Sequence, residues 1–207
     1  MDNSIRKLFL FTANYYNFVV DNEFFSHSLS VTISNRFDLD AEANIPTWFS
    51  TILLFCVSLT SLIIYRFRYK FKIDTSMHTF WLVLGSVYCF LSLDEAARLH
   101  EIFDTSLHIK WIYIYAPLAA IFFITCIYFL VIINKNKNLR NWIIGGLVIY
   151  AFGGLIGESF DYFFYASPIE IVFEEGLELL GTIMVLKGSL QELIKHFDMI
   201  CNHSSHT

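Results

Sequence analysis

The sequence contains little charge and none of the short motifs that mark common soluble enzymes. Only 16% of its 207 residues are Asp, Glu, Lys or Arg, whereas soluble domains hold about 25%. Glycine-rich phosphate loops, GxSxG and HExxH are all missing from the sequence. Basic residues form no patch outside two short links, which argues against nucleic acid as a partner. These absences exclude the usual signatures of soluble nucleotide-dependent enzymes and of nucleic-acid-binding proteins.

Cysteine is scarce, and its spacing follows no ligand or disulfide pattern. Cys56, Cys89 and Cys126 lie within apolar runs, and Cys201 lies near the end of the chain. Because no CxxC occurs, the sequence predicts neither a disulfide framework nor a thiolate zinc site. A metal site in this chain would be built from carboxylate and imidazole ligands.

Apolar and aromatic residues are abundant. Hydrophobic residues make up 56% of the chain and aromatic residues 18%, and the mean hydropathy is +0.53. A helix that crosses a bilayer needs about 20 apolar residues. Stretches of this kind occur at 47–66, 76–95, 111–134, 142–163 and 168–190. The sequence therefore predicts an all-α, polytopic transmembrane bundle of about five spans over residues 47–195, with short links and no internal repeat.

Basic residues predict the orientation of this bundle. They occupy the first link, the third link and the end of the last span: Arg66, Arg68, Lys70, Lys72, Lys135, Lys137, Arg140, Lys187 and Lys195. By the positive-inside rule these links are cytoplasmic. The second and fourth links are then extracytoplasmic, and residues 196–207 form a cytoplasmic C-terminal tail.

The N-terminal segment, residues 1–46, leaves two alternatives open. RKLFLFTANYYNFVV begins with basic residues and continues with mostly apolar ones, but it is short for a span and has no A-x-A-like cleavage site. We expect an extracytoplasmic or interfacial tail. If the segment instead crosses the bilayer, the bundle has six spans.

Acidic residues concentrate on the side opposite to the basic links. They lie in LSLDEAARLHEIFD (91–104), in GESFDYF (157–163) and in the start of the last span: Asp94, Glu95, Glu101, Asp104, Glu158, Asp161, Glu170, Glu174, Glu175 and Glu178. Counting about 20 residues per span places Glu174, Glu175 and Glu178 within the outer leaflet. A charged residue at the bilayer centre costs roughly 2.5–3.5 kcal/mol on insertion scales. Since only Arg98 and Lys110 lie nearby, protonation, a metal ion or a water-filled cavity has to offset this cost.

Glycines on the fourth predicted span favour the close approach of another helix, and glycines also lie on the last span. Gly153 and Gly157 form a small-xxx-small pattern, and Gly181 and Gly188 continue the helix face that carries Glu174 and Glu178. Close packing would bring the acidic residues of the two spans together. The sequence thus predicts one acidic site shared by three helices.

A divalent metal ion is the cofactor that this ligand set favours. The predicted metal ligands are Asp94, His100, Glu101, Asp104, Glu158, Asp161, Glu174 and Glu178. Carboxylates with little histidine suit Mg, Ca, Mn or Fe more than Zn. On a continuous helix through the second link, Asp94, Glu101 and His108 would share one face. A metal-bound water activated by Glu101 or Glu178 as general base could hydrolyse a lipid or a membrane-proximal substrate.

Two other functions remain open at this point. Carboxylates inside a membrane also form proton or cation relays, as in transporters and channel subunits. Alternatively, they form a polar network that holds the helices of a membrane-complex subunit together. The sequence identifies no substrate and no oligomeric state, and the one certain partner is the lipid bilayer.

Two resemblances rest on short motifs. LSLDEAARLHE followed by EEGLELLG resembles a pattern of uncharacterised multi-pass bacterial membrane proteins, which implies a bacterial inner-membrane location and no particular activity. EFFSHSLSVTISN and Leu-Asp-Glu at 93–95 are similar to motifs of alkaline ceramidases, which are membrane zinc amidases. That family has an HxxxH pair on a late helix where this sequence has Glu174 and Glu178, and its Ser-x-x-x-His is missing here.

Overall fold

The computed structural model describes residues 45–73, 75–106, 108, 110–134, 136–163 and 168–204. Every regular element in these ranges is helical. The elements are α1 Ile45–Lys70, α2 Thr75–Ala97, α3 Leu99–Ser106, α4 Ile112–Ile127 with a π-helical continuation Tyr128–Ile133, α5 Lys137–Phe163 and α6 Pro168–Ser204. The predicted all-α fold is confirmed for this part of the chain.

Three of these helices are long and apolar enough to cross a membrane: Ile45–Lys70, Ser76–Ala97 and Ile112–Ile133. They coincide with the first three predicted spans, so the chain is an integral membrane protein by the length and composition of its helices. The fourth and fifth predicted spans are helical as α5 and α6, and their crossing of the bilayer stays a prediction. The prediction for the N-terminal tail lies outside the described residues except at its last two positions.

The helices α1 and α2 form an antiparallel pair. The Ser58 hydroxyl donates to the Gly85 carbonyl at 2.7 Å, and the Ser92 hydroxyl donates to the Thr51 carbonyl at 3.0 Å. A β-carbon on Gly85 would lie 2.8 Å from the Leu62 side chain. Small residues therefore let the two backbones approach, as expected for helices in lipid.

A second antiparallel pair consists of α5 and α6, which meet through glycines. A β-carbon on either Gly146 or Gly181 would lie 2.6 Å from the other residue's carbonyl oxygen. Nearer the start of α5, a β-carbon on Gly188 would lie 2.9 Å from Trp142 Cβ. The helix that approaches α5 closely is therefore α6, and Gly146, Gly181 and Gly188 form the contact.

The two pairs are joined by contacts between α1 and α6. At the end that carries the basic residues, which we call the basic end, the Phe67 and Phe197 rings meet edge to face at 5.2 Å. Glu192 Oε1 lies 4.0 Å from both Arg68 Nη1 and His196 Nε2. His196 is only 3% exposed, and neither of its ring nitrogens has a hydrogen-bond partner in the described part of the chain. The basic end thus contains a buried polar cluster.

The helix α4 lies at the edge of the bundle. Its π-helical continuation packs against α2 and α5 through the buried Leu130. At its other end, Tyr115 contacts α2. Between these two attachments, the residues from Ala116 to Ile121 are all exposed. Most of α4 therefore presents apolar side chains to the surroundings, as a lipid-facing helix does.

Candidate functional site

The acidic motif at 91–104 does not form one straight helix. The helix α2 ends at Ala97, Arg98 has a φ of +54°, and α3 begins at Leu99. A left-handed conformation at a non-glycine residue interrupts the helical path. The shared face of Asp94, Glu101 and His108 was predicted only for a continuous helix, and this break removes that condition. The sequence also allows a cap at Thr105 or Ser106 that leaves His108 in a loop. His108 follows α3 as an exposed residue in a non-helical position.

Asp94 stabilises this break by accepting several hydrogen bonds. Its Oδ1 accepts from the backbone N–H of His100 at 2.9 Å and from the Tyr115 hydroxyl at 2.9 Å. Its Oδ2 lies 3.2 Å from His100 Nδ1. A carboxylate oxygen accepts, so His100 Nδ1 donates in this hydrogen bond. Asp94 is 8% exposed and connects α2, α3 and α4.

Aromatic side chains surround this hydrogen-bond network. Trp111 contacts the His100 ring at 6.0 Å and the Tyr115 ring at 5.6 Å, measured between centroids. Phe90 and Phe103 also contact Tyr115, at 6.0 and 6.1 Å. Aromatic rings with polar atoms are typical of the membrane–water interface. We therefore expect the Asp94 network to lie near the membrane–water interface.

A second group of acidic residues lies between α2 and α6. Glu95 forms a side-chain hydrogen bond with Ser50 of α1. Glu95 is within electrostatic interaction range of Glu175 and Glu178 on α6. Tyr150 of α5 lies within range of Glu178, Glu95 and Asp94. Four helices thus contribute to one polar region, which we call the acidic site.

Two glycines of α5 make room for Glu178 in this region. A β-carbon on Gly153 would lie 3.0 Å from Glu178 Cγ, and one on Gly154 would lie 3.1 Å from Glu178 Oε1. The carboxylate therefore rests directly on the α5 backbone. A larger residue at either position would push Glu178 away from the helix interface.

The predicted site residues divide into two sets. The structure describes the side chains of Asp94, His100, Glu174 and Glu178, which lie at the end of the bundle opposite to the basic end; we call it the acidic end. It does not describe the side chains of Glu101, Asp104, Glu158 and Asp161. Their helices are described: Glu101 and Asp104 belong to α3, and Glu158 and Asp161 to the last part of α5. Within the described side chains, no group of three or more His, Cys, Asp or Glu is placed to hold a metal ion.

Residues 9–191 match the model of a domain of unknown function, DUF8692. The chain belongs to the DUF8692 family. The matched region contains all of α1 to α5, the acidic end of α6 and most of the N-terminal segment. No curated protein and no solved structure matches the chain. Membership in DUF8692 therefore supports one domain that includes both acidic groups, and it brings no activity with it.

Sequence reasoning missed several residues of the acidic site in this DUF8692 protein. Glu95, Glu175, Tyr150 and Tyr115 were not among the predicted site residues, although all four contact or face its charges. The sequence contained one signal for Glu95. Ser50 and Thr51 place two hydroxyl groups at the acidic end of the first predicted span. Pairing the polar positions of α1 and α2 across an antiparallel contact would have included Glu95.

Proposed function

We propose that this integral membrane protein binds and exchanges protons at its acidic site. The observation that carries the proposal is the approach of Glu95 on α2 to Glu175 and Glu178 on α6. Neighbouring carboxylates in a poorly solvated region repel each other when ionised, and sharing protons removes this repulsion. Carboxylates placed in this way in membrane proteins commonly act as proton relays.

The Asp94 network supports a path from the acidic site to the helix ends. Tyr150 lies within electrostatic range of both Glu178 and Asp94. Asp94 in turn accepts hydrogen bonds from Tyr115 and His100. Histidine gains and loses a proton near neutral pH. In this proposal protons pass between the interface at His100 and the carboxylates between α2 and α6.

Proton flux into liposomes tests this function. The purified protein is reconstituted, a potassium diffusion potential is applied with valinomycin, and the internal pH is followed with a trapped dye. We expect Glu178→Gln and Glu95→Gln each to lower the flux at least about tenfold, because the amide cannot exchange a proton. Asp198→Asn, an equal change of charge at an exposed position of α6, serves as the control and retains the flux.

The result that would overturn the proposal is wild-type flux in Glu178→Gln. Thermal unfolding in detergent separates this result from misfolding, since both variants should elute and melt like the wild type. If Glu178→Gln fails to fold, Glu95→Gln and the infrared band of protonated carboxyl groups in the wild type decide the question. Absence of such a band near neutral pH would also contradict proton uptake.

Binding of a divalent metal ion is a second candidate, and the geometry of His100 favours it. A carboxylate that holds one ring nitrogen of a histidine orients the other nitrogen, as second-shell carboxylates do at metal centres. Asp94 holds Nδ1 of His100 in this way. The described side chains supply no group of three ligands. Such a site would need the predicted ligands Glu101, Asp104, Glu158 or Asp161.

Metal analysis of the purified protein tests this candidate. Under the metal hypothesis, the wild type contains a stoichiometric divalent ion, and Glu101→Ala, Glu158→Ala and Glu178→Ala lose it while Asp198→Asn keeps it. A wild type without stoichiometric metal, after dialysis against Mg, Ca, Mn, Fe and Zn in turn, rules it out. Hydrolysis of a lipid with Glu101 or Glu178 as base depends on this metal and stays a prediction.

A further inference from the structure

The basic end presents a cationic and amide-bearing surface where α5 and α6 meet. The Lys187 ammonium lies 3.9 Å from the centroid of the Trp142 ring, well within the range of about 6 Å for cation–π contacts. One turn further along, Asn138 Nδ2 donates to Gln191 Oε1 at 3.0 Å. Lys187 and Gln191 occupy successive turns of α6, and Trp142 and Asn138 occupy successive turns of α5. We call these four residues the Lys187 surface.

Among the residues that the structure describes, Lys187 has no acidic partner. The positions three and four residues away on α6 are Ile183, Met184, Leu190 and Gln191, so a helical i,i+4 ion pair is not possible. The first turn of α5 contains no acidic residue. Lys187 is exposed and takes part in no ion pair with the described residues. The N–H donors of Lys187 are therefore available to a ligand.

The same face of α6 also carries exposed aliphatic side chains. Lys187, Leu190, Gln191, Ile194 and Lys195 follow each other at helical spacing on one face. Leu190 is 41% exposed and Ile194 56%. A soluble phosphate would not make use of apolar side chains next to a lysine. A lipid would, because its headgroup and its chains lie side by side at the interface.

Trp142 holds Lys187 at a defined place. The Trp142 Cβ lies 2.9 Å from the position of a β-carbon on Gly188, so the indole is packed tightly against α6. An indole ring is typical of the membrane interface, and a lysine on a transmembrane helix extends its charge towards the headgroups. The cation–π contact therefore fixes the ammonium close to the level of the lipid phosphates.

We propose that the Lys187 surface binds the headgroup of an anionic phospholipid in the leaflet at the basic end. Lys187 neutralises the phosphate, the Asn138 and Gln191 amides hydrogen-bond to headgroup hydroxyls, and Leu190 and Ile194 contact an acyl chain. This site is separate from the acidic site and is independent of the function proposed for it.

Native mass spectrometry of the full chain released from nanodiscs tests this site. The nanodiscs contain phosphatidylglycerol and phosphatidylcholine in equal amounts. The wild type should retain phosphatidylglycerol preferentially, and Lys187→Ala should weaken that retention about fivefold, the effect of one lysine at an anionic surface. Lys70→Ala is the matched control, since Lys70 is also exposed at the basic end and lies 5.5 Å from the Phe71 ring. It should leave the retention unchanged.

Three results would overturn the proposal. Equal losses in Lys187→Ala and Lys70→Ala would show a diffuse electrostatic attraction instead of a site. Equal retention of both lipids by the wild type would show no headgroup preference. Loss of the retained phosphatidylglycerol on addition of soluble glycerol phosphate at the same concentration would show that the surface binds a soluble partner. Trp142→Leu, which keeps the charge but not the ring, should reduce retention as well, and it replaces Lys187→Ala if that variant does not fold.

Discussion

At the scale of single residues, two polar centres at opposite ends of the bundle are built differently. Asp94 satisfies both of its oxygens with donors from α3 and α4. His196 is buried too, yet its ring nitrogens form no hydrogen bond with the residues that the structure describes. Buried polar groups are nearly always paired. His196 is therefore the residue whose protonation the fold opposes most directly.

The pH dependence of unfolding should report on His196. Burial lowers the pKa of this imidazole below its ordinary value, and the nearby positive charge of Arg68 lowers it further, while Glu192 acts in the opposite direction. An unfolded histidine titrates at about 6.5. Between that pH and the lower folded pKa, the unfolded chain binds more protons, so stability falls as the pH drops below about 6.5.

The measurement is thermal unfolding in detergent from pH 7.5 to pH 5. We expect His196→Leu to lose less stability over this interval than the wild type. His108→Asn changes an exposed histidine in a left-handed conformation, which asparagine tolerates, and should follow the wild-type curve. Parallel curves for the wild type and His196→Leu would contradict the assignment.

At the scale of elements, the close pairing of α5 and α6 depends on glycine. The built β-carbon at Gly181 would lie 2.6 Å from the Gly146 carbonyl and from the Tyr150 amide nitrogen. Backbone atoms cannot move aside as a flexible side chain does. Among the described residues, no atom lies within 4 Å of a β-carbon placed on Gly176 of the same helix. A side chain at Gly181 would therefore collide with α5, whereas one at Gly176 would have room, although the two positions are only five residues apart.

Alanine substitutions at these two positions should have opposite effects. Gly181→Ala forces the helices apart and should lower the free energy of unfolding by roughly 1–3 kcal/mol, as overpacked interiors do. Gly176→Ala gains helix propensity and should raise it by up to about 1 kcal/mol. Unfolding in mixed detergent with sodium dodecyl sulfate measures both values. A neutral Gly181→Ala would show that the interface is looser than its distances indicate.

The sequence predicts the helices better than it predicts the acidic site. Long apolar runs fix the positions of α1, α2 and α4 because a bilayer demands them. The break at Arg98 was not predictable, since it depends on Tyr115 and Asp94 meeting across the bundle. Glu95 was missed for a related reason, because angles on an isolated helix do not reveal that Ser50 of α1 lies beside it. The periodicity of apolar residues in a sequence indicates single helices, whereas the acidic site is formed by contacts between several helices.

At the scale of the whole molecule, charge separates the two ends of the bundle. Lys72 and Lys137 lie at the basic end, and His108 and Lys110 at the acidic end, and all four are exposed. Basic links stay in the cytoplasm during membrane insertion. This rule predicts an extracytoplasmic acidic site and a cytoplasmic C-terminus.

Cysteine labelling tests the predicted orientation. In a background without the four native cysteines, Lys72→Cys and Lys137→Cys should react with an impermeant maleimide only in inverted membrane vesicles. His108→Cys and Lys110→Cys should react in intact spheroplasts. The reverse pattern would contradict the orientation, and labelling of all four from one side would contradict a bundle that crosses the membrane.

The acidic residues at the start of α6 affect the order in which the helices assemble. This helix brings Glu174, Glu175 and Glu178 into the bundle and follows α2 and α5 in the chain. Its partners Gly153 and Gly154 on α5, and Glu95 on α2, have already been synthesised by then. A helix with three carboxylates enters lipid poorly by itself, so we expect α6 to enter the bilayer by docking onto α5. A chain truncated before Pro168 would therefore leave the glycine face of α5 without its partner.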